Sequence, residues 1–176
     1  MKYTYRINRK NEWKSIAQTV FTFCLICLII IVVFYFKLPD ESIWSILPIL
    51  LLLALLIFTP SYIIHLRYYL LNKDIALTYY MEERRFEIVN QKKGLTSSFR
   101  MDEIRYVMHT MSPARAERRS GGLLWEDYSY IEIFLERNEY FIITCLMIEK
   151  PDWQLGDKYQ VVTTFYPYPS KQDSIH

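Results

Sequence analysis

Two long apolar runs dominate the first part of the chain. Residues 16–36 and residues 43–64 contain no charged side chain. At about 1.5 Å of rise per residue, about 21 helical residues reach about 31 Å, close to the hydrocarbon thickness of about 30 Å of a bilayer. The pattern therefore predicts a two-helix transmembrane hairpin over residues 15–66, with spans at about 16–36 and 43–64 and a very short turn between them.

Apolar and polar residues alternate after residue 67, which is typical of strands with one buried face. In the clearest hairpin, residues 128–136 and 140–146 flank the polar turn Arg137-Asn138-Glu139. Consecutive hairpins predict an antiparallel meander, and curling into a small barrel would leave few open edges. We therefore expect an α+β membrane protein in which residues 67–150 form a curled β-barrel domain. The expected strands begin near Ile75, Phe86, Leu95, Ile104, Tyr128 and Tyr140.

The two ends of the chain carry further strand signals. Residues 1–14 form a basic arm in which Tyr3, Tyr5 and Ile7 alternate with polar residues, so the arm is expected to add an edge strand to the sheet. Residues 151–176 form a proline-containing C-terminal extension, in which residues 159–166 are expected to form one more strand. Residues 112–127 contain Ser-Pro and Gly-Gly pairs and are expected to be irregular.

Basic residues orient the predicted hairpin. The arm has five basic residues and one acidic residue, whereas the turn at residues 37–42 has one basic and two acidic residues. Basic residues near spans stay on the cytoplasmic side, so we expect both termini in the cytoplasm and a multi-pass protein of the cell inner membrane. The expected membrane-interface anchors are Trp13, Tyr62, Tyr68 and Tyr69 on the inner side, and Tyr35 and Trp44 on the outer side.

Two other interpretations of the apolar runs are weaker. A chain of 176 residues and 21.3 kDa has nowhere to bury two apolar helices inside a soluble core. The first run is also longer than the apolar core of a secretory signal, about 7 to 15 residues, and it ends in bulky residues. Both runs are therefore expected to remain as membrane anchors.

No catalytic constellation can be assembled from the sequence. The three histidines lie apart from any triad or metal motif, and the four glycines have no phosphate-loop spacing. Cys24 and Cys27 have a C-x-x-C spacing, but a thiolate inside an apolar run is costly, so packing is expected. We expect no enzyme activity, no cofactor and no bound metal.

Side chains that could contact a membrane surface or a partner are the features of functional interest. Basic residues in two turns could contact anionic lipid: Lys92, Lys93, Arg115, Arg118 and Arg119. The chain from residue 65 onward carries 15 basic and 16 acidic residues, so solvated arginines are the alternative. The loop Leu123-Leu124-Trp125 either folds back onto the barrel or stays exposed as a contact. We expect the bilayer and a membrane or cytoplasmic protein as partners, and no nucleic acid.

The order of these elements resembles a known family. The basic arm, the two spans, the stretch Phe99-Arg-Met-Asp-Glu-Ile-Arg-Tyr-Val107 and the hairpin ending in Phe141-Ile-Ile-Thr-Cys-Leu146 are similar to the bacterial membrane-anchored pleckstrin-homology-like (PH-like) proteins. The YcxB-like group is the nearest in pattern. The resemblance implies a barrel of two nearly orthogonal sheets, usually closed at one end by a helix. The sequence departs from this pattern after Leu146, where no amphipathic helix is evident.

Two hypotheses of function remain open. In the first, the PH-like domain is an interaction module held at the cytoplasmic face, where it binds a protein partner or anionic lipid. In the second, the protein is an accessory or immunity-type subunit of a membrane complex, and its transmembrane helices carry the specificity. Fold analogy underlies both hypotheses, and a fold alone does not fix a function.

Overall fold

The computed structural model describes residues 1–7, 9–37, 47–119, 123–151 and 153–170. This part of the chain begins with a short strand, continues through two long helices and then forms seven further strands. In chain order the elements are β1 (Lys2–Tyr5), α1 (Arg9–Lys37), α2 (Leu47–Asn72), β2 (Ile75–Tyr80), β3 (Arg85–Asn90), β4 (Leu95–Arg100), β5 (Ile104–Met111), α3 (Pro113–Ala116), β6 (Ser129–Leu135), β7 (Tyr140–Thr144), a 3-10 helix (Gly156–Lys158) and β8 (Tyr159–Thr163).

The eight strands form two four-stranded sheets, with strand orders β1-β2-β3-β4 and β7-β6-β5-β8. The expectation of a single curled barrel is therefore wrong. A short turn at residues 101–103, in which Met101 is buried, carries the chain from β4 into the second sheet. Strands β4 and β5 are therefore not hydrogen-bonded neighbours. Neighbouring strands are antiparallel except β8, which runs parallel to β5 and places Tyr159 beside Val107. The last strand thus also departs from a simple meander.

The apolar core is built from the strands of both sheets. Side chains alternate in burial along β3, where Phe86 and Ile88 are buried. Phe99 stacks on Phe86 and on Phe141, with ring centroids 5.4 Å apart in each pair. Trp153, which follows β7, packs edge-on against Phe86. The segment after β7 therefore contributes to the core as an extended chain, and its described residues contain no α-helix.

Strand β1 is an edge strand that pairs with β2 across the whole helical segment. Tyr5 lies opposite Leu77, and the α-amino group of Met1 makes an ion pair with Glu82. Because α1 follows β1 and β2 follows α2, both helices connect to the same end of this sheet. The sheets also draw β1 and β8 from outside the range 67–150 that the sequence indicated for the domain.

The two long helices differ in apolar length. Among the described residues, one helix, Pro48–Asn72, is long and apolar enough to cross a membrane by length and composition, and α1 contains the shorter apolar stretch Val20–Val33. The helices touch at Phe23 and Phe58, whose ring centroids lie 4.6 Å apart. The expected turn between the spans falls within residues 38–46, which lie outside the described part of the chain.

The connection between β5 and β6 contains one helical turn, α3. Ser112 is its N-cap, because the hydroxyl accepts from the Arg115 backbone N–H at 3.1 Å, and a proline occupies the first turn. The same hydroxyl donates to the Glu126 carbonyl at 2.8 Å and ties the two ends of the loop together. The expectation that residues 112–127 are irregular is therefore wrong for these four helical residues.

Candidate interaction surfaces around helix α2

One face of helix α2 is buried against the β-domain. Ser61, Ile64, Tyr68 and Asn72 are buried, and their spacing of three or four residues places them on one side of the helix. In the N-terminal half of α2, residues 47–59, none of the described side chains is buried. The domain therefore holds the C-terminal half of the helix, residues 60–72, and the N-terminal half projects from it.

Asn72 joins the end of α2 to the edge of the second sheet. Its amide Nδ2 donates to the Ile142 carbonyl at 2.8 Å, and its Oδ1 accepts from the Thr144 backbone N–H at 2.7 Å. The side chain is fully buried. One amide group thus satisfies a donor and an acceptor of edge strand β7, as a neighbouring strand would, and covers part of that edge.

Tyr68 lies at the centre of the junction between helix and sheet. Its ring contacts Tyr128 and Tyr130 edge-on, with centroids 5.4 and 6.2 Å away. Its hydroxyl donates to the Pro167 carbonyl at 2.7 Å, and the whole side chain is buried. Tyr68 therefore fixes the domain to the helix, which corrects the expectation that it anchors the helix at a membrane interface. The position of each tyrosine around the helix axis decides whether it contacts the domain, because the next residue, Tyr69, faces away from the domain and is exposed.

The other expected membrane-interface anchors are distributed along both helices. Tyr35 on α1 and Tyr62 on α2 are exposed. Trp13 lies within α1, and Trp44 lies outside the described residues. The exposed tyrosines are free of the β-domain and remain candidates for contact with a membrane interface.

Residues 164–170, here called the C-terminal strap, follow β8 and run along helix α2. The Tyr166 hydroxyl donates to the Pro60 carbonyl at 2.6 Å, and the Arg67 Nε donates to the Pro169 carbonyl at 3.3 Å. Burial raises the pKa of the Tyr166 hydroxyl, which keeps it protonated as a donor. The two contacts fix the strap at points about 10 Å apart along the helix, at about 1.5 Å per residue.

An aromatic patch forms where the strap meets the loop before β6. We define the aromatic patch as Trp125, Phe165 and Tyr168. The Trp125 Nε1 donates to the Phe165 carbonyl at 3.2 Å, and the two rings pack edge-on at 5.8 Å. The guanidinium of Arg67 lies over the Tyr168 ring, 6.0 Å from its centroid. The loop has therefore folded back onto the domain at Trp125, while the Phe165 side chain stays 67% exposed.

The arginines singled out from the sequence lie in and beside α3, and two of them are engaged. Arg115 Nη2 donates to the Glu149 carbonyl at 3.2 Å, and Arg119 makes an ion pair with Glu117 at 2.7 Å. Arg118 is exposed and has a left-handed backbone, with a φ of 55°. The three side chains therefore do not act as one free cationic cluster.

Lys92 and Lys93 are exposed in the turn between β3 and β4. The Gln91 backbone N–H donates to the Asp74 carbonyl at 2.8 Å, directly after helix α2. This turn therefore reaches the same end of the domain as α2. The structure places both groups of expected basic contacts at the α2 end, on separate turns.

The opposite end of the domain holds a cavity of about 270 Å³. Charged, polar and apolar residues line it: Arg84, Arg100, Met101, Asp102, Gln154, Leu155 and Lys158. Lys158 Nζ donates to the carbonyls of Asp102 and Ile104, and Arg100 pairs with the Asp102 carboxylate at 3.5 Å. The lining residues are far apart along the chain, so no local pattern in the sequence indicates this cavity. Arg84 Nη2 also donates to the Met101 sulfur at 3.0 Å, so all three cations of the cavity already contact the protein itself.

A buried histidine lies in the second sheet. His109 Nδ1 is hydrogen-bonded to the Tyr159 hydroxyl, and Nε2 has no partner within the described chain. Burial, with a smaller contribution from Arg115, lowers the pKa of His109 to about 4. The imidazole is therefore neutral at neutral pH. The described residues contain no group of three or more side chains that could hold a metal ion.

A family model described as a PH domain matches residues 3–154. The match extends from β1 to the segment after β7 and covers most of the chain, so the protein belongs to this PH-domain family. Domains of this class are typically non-catalytic interaction modules that bind proteins or lipids. No significant match was found among curated proteins or among solved structures.

Proposed function

We propose that the protein is a PH-domain interaction module anchored in the cell inner membrane by α1 and α2, with the domain and both termini in the cytoplasm. The observation that carries this proposal is the pairing of β1 with β2. Tyr5 lies opposite Leu77, so the chain leaves the sheet into α1 and returns from α2 at the same end. Two helices with this connection fit a hairpin that crosses the bilayer twice, because a helix satisfies its own backbone hydrogen bonds in lipid.

The surface of α2 supports a lipid environment for its N-terminal half. Large apolar side chains such as Leu52 and Leu56 are exposed there. A continuous apolar surface of this length is unusual on a protein in water, whereas lipid chains match it. The contact between Phe23 and Phe58 supports side-by-side packing of the two helices as a hairpin.

We propose that the domain binds a protein partner or anionic lipid near the membrane. Strand β8 supports a protein partner, because Val161 and Val162 are exposed and its outer edge has no neighbouring strand within the described residues. An extended peptide can add to such an edge through backbone hydrogen bonds. The exposed Lys92, Lys93 and Arg118 at the α2 end support the alternative of anionic headgroups.

Labelling of single cysteines in intact cells tests the anchoring. In a background with the three native cysteines replaced by serine, Asp40→Cys marks the turn between the spans and Lys93→Cys marks the domain. A membrane-impermeant maleimide should label position 40 in intact cells and position 93 only after permeabilisation. Labelling of position 93 in intact cells, or release of the protein from membranes by alkaline carbonate, would contradict the proposal.

A second candidate is that the helices carry the specificity, as in an accessory or immunity-type subunit of a membrane complex. It is favoured by the exposed apolar face of the C-terminal half of α2, which lies opposite the domain: Tyr62, Ile63, Leu66, Tyr69 and Leu70. Replacing residues 16–58 with an unrelated hairpin, together with alanine at positions 62, 63, 66, 69 and 70, removes the exposed helix surface and keeps the buried contacts between α2 and the domain. An unchanged pattern of cross-linked partners in native membranes supports the module, and a lost pattern supports the subunit.

A further inference from the structure

The strap approaches the charge-free part of helix α2 through Tyr166. The Tyr166 hydroxyl reaches the Pro60 carbonyl, whereas Tyr168 lies beside Arg67, about two turns further along the helix. The sequence carries no charge from residue 43 to residue 64. Pro60 therefore precedes the end of the charge-free run by about 6 Å, at about 1.5 Å per residue.

The contacts of α2 with the domain begin at Pro60, so in the proposed anchoring the hydrocarbon ends near this residue. The polar headgroup regions add about 5 to 8 Å on each side of a hydrocarbon core of about 30 Å. The part of the strap that approaches Pro60 therefore lies in or against the headgroups. Aromatic side chains are the residues that membrane interfaces favour. The Phe165 side chain, which precedes Tyr166 in the strap, is 67% exposed and so offers an apolar ring to this layer.

The patch is apolar in a region whose charges cancel. The loop over residues 112–127 has three basic and three acidic residues, and Arg119 is paired with Glu117. The Arg67 guanidinium over Tyr168 adds one cation beside the strap. Contact with lipid at this site therefore depends on burial of apolar rings more than on attraction to anionic headgroups.

We infer that the aromatic patch seats the α2 end of the domain in the cytoplasmic headgroup layer of the bilayer, with Phe165 as its deepest side chain. This inference rests on the proposed membrane anchoring. The strap then holds the α2 end of the domain against the lipid surface. The cavity lined by Arg84 and Lys158, at the opposite end of the domain, points toward the cytosol. We also expect the contact to form on a zwitterionic surface.

Depth-dependent quenching of single fluorophores tests this geometry. The full chain, with the native cysteines replaced, is labelled at Phe165→Cys, Leu52→Cys or Met81→Cys and reconstituted into phosphatidylcholine vesicles with brominated acyl chains. Leu52, 61% exposed, reports on the anchor, and Met81, 45% exposed in the turn after β2, is the matched apolar position at the far end of the domain. We expect loss of fluorescence at positions 52 and 165 and none at position 81, unchanged by high salt.

Each other outcome is decisive. Quenching at 52 but not at 165 overturns the inference and leaves the anchoring intact, and the patch then faces a protein or a second copy of the chain. Quenching at 165 that requires added anionic lipid replaces the apolar contact with an electrostatic one. Quenching at all three positions shows a domain lying flat on the membrane. Absence of quenching at 52 removes the proposed anchoring itself.

Discussion

The two halves of helix α2 differ in composition and in surroundings. In the N-terminal half, residues 47–59, no described side chain is buried, Phe58 contacts Phe23 of α1, and no ionisable group is present. In the C-terminal half, residues 60–72, a stripe of four buried residues meets the β-domain through specific hydrogen bonds and ring contacts. Apolar residues alone therefore do not tell the exposed turns of the helix from those packed against the β-domain. The Tyr68 hydroxyl and the Asn72 amide mark the packed half, because these buried polar groups have fixed partners.

The largest expected effect comes from removing the Tyr68 ring, which lies at the centre of the contact between the C-terminal half of α2 and the β-domain. Tyr68→Ala removes a fully buried ring, and we expect about 4 kcal/mol of destabilisation from lost packing and the cavity left behind. Tyr69→Ala, the next residue on the exposed face, should cost less than about 1 kcal/mol. Denaturant unfolding of the domain in detergent compares the two variants. Equal losses of unfolding free energy in the two variants would mean that the buried and exposed faces of α2 contribute equally to the stability of the domain.

Loss of the two hydrogen bonds made by the Asn72 side-chain amide should give the next largest effect. Asn72→Ala leaves the Ile142 carbonyl and the Thr144 N–H without their partner, so about 3 kcal/mol is expected for two buried groups. Hydrogen exchange at the Thr144 amide should accelerate in the same variant. Asn90→Ala is the control, because Asn90 only accepts from Lys93 in an exposed turn. Unchanged protection at Thr144 would show that β7 holds its edge without the helix.

Acid should weaken the domain and leave the N-terminal half of α2 unaffected, since that half has no titratable group. The pKa of His109 is about 4 in the folded protein and 6.5 in the reference state, so the unfolded chain binds more protons between these values. Stability is therefore full above about pH 6.5 and falls as the pH approaches 4, by up to about 3 kcal/mol. His109→Gln should flatten this part of the stability profile. The same slope in both proteins would assign the acid sensitivity to other groups.

The smallest expected effect concerns the hydrogen bond between Tyr166 of the strap and Pro60 of helix α2. Tyr166→Phe removes the hydrogen bond to the Pro60 carbonyl and should cost about 1 kcal/mol. Tyr168→Phe is the matched control, since no hydrogen bond of its hydroxyl is found in the described chain. The unfolding midpoints of the two variants measure the difference. A Tyr166→Phe variant as stable as the control would indicate that the strap rests on α2 without being fixed to it.

Local patterns were sufficient to predict the strands, because alternation and turn residues act over short distances. The expected starts at Ile75, Leu95, Ile104 and Tyr140 coincide with the first residues of β2, β4, β5 and β7. The pairing of β8 with β5 was not accessible, since its partner lies about fifty residues earlier and alternation does not encode direction. The prediction of a curled barrel was wrong for a related reason. The sequence of a turn does not reveal whether the chain returns to the same sheet or enters another.

The candidate site was harder to predict than the fold. Charge selected Arg115, Arg118 and Arg119, yet two of these side chains are occupied by the protein itself. Phe165 was overlooked because it lies in a weak strand signal near several prolines, and the approach of its segment to α2 depends on tertiary packing. Asn72 offered a signal that could have been used. A polar amide at the end of an apolar helix, in phase with Ser61, Ile64 and Tyr68, marks the face that meets protein.

The pairing of β1 with β2 also sets an order of events for a newly made chain. Strand β1 emerges first, but its partner appears only after about seventy further residues have been synthesised. Such a distant contact forms slowly, since a long loop must close before any hydrogen bond is gained. If α1 and α2 cross the bilayer as proposed, closure requires residues 5 and 77 to lie in the same compartment. A molecule with only one of the two helices inserted would then keep β2 without its partner β1, as an exposed edge of the first sheet.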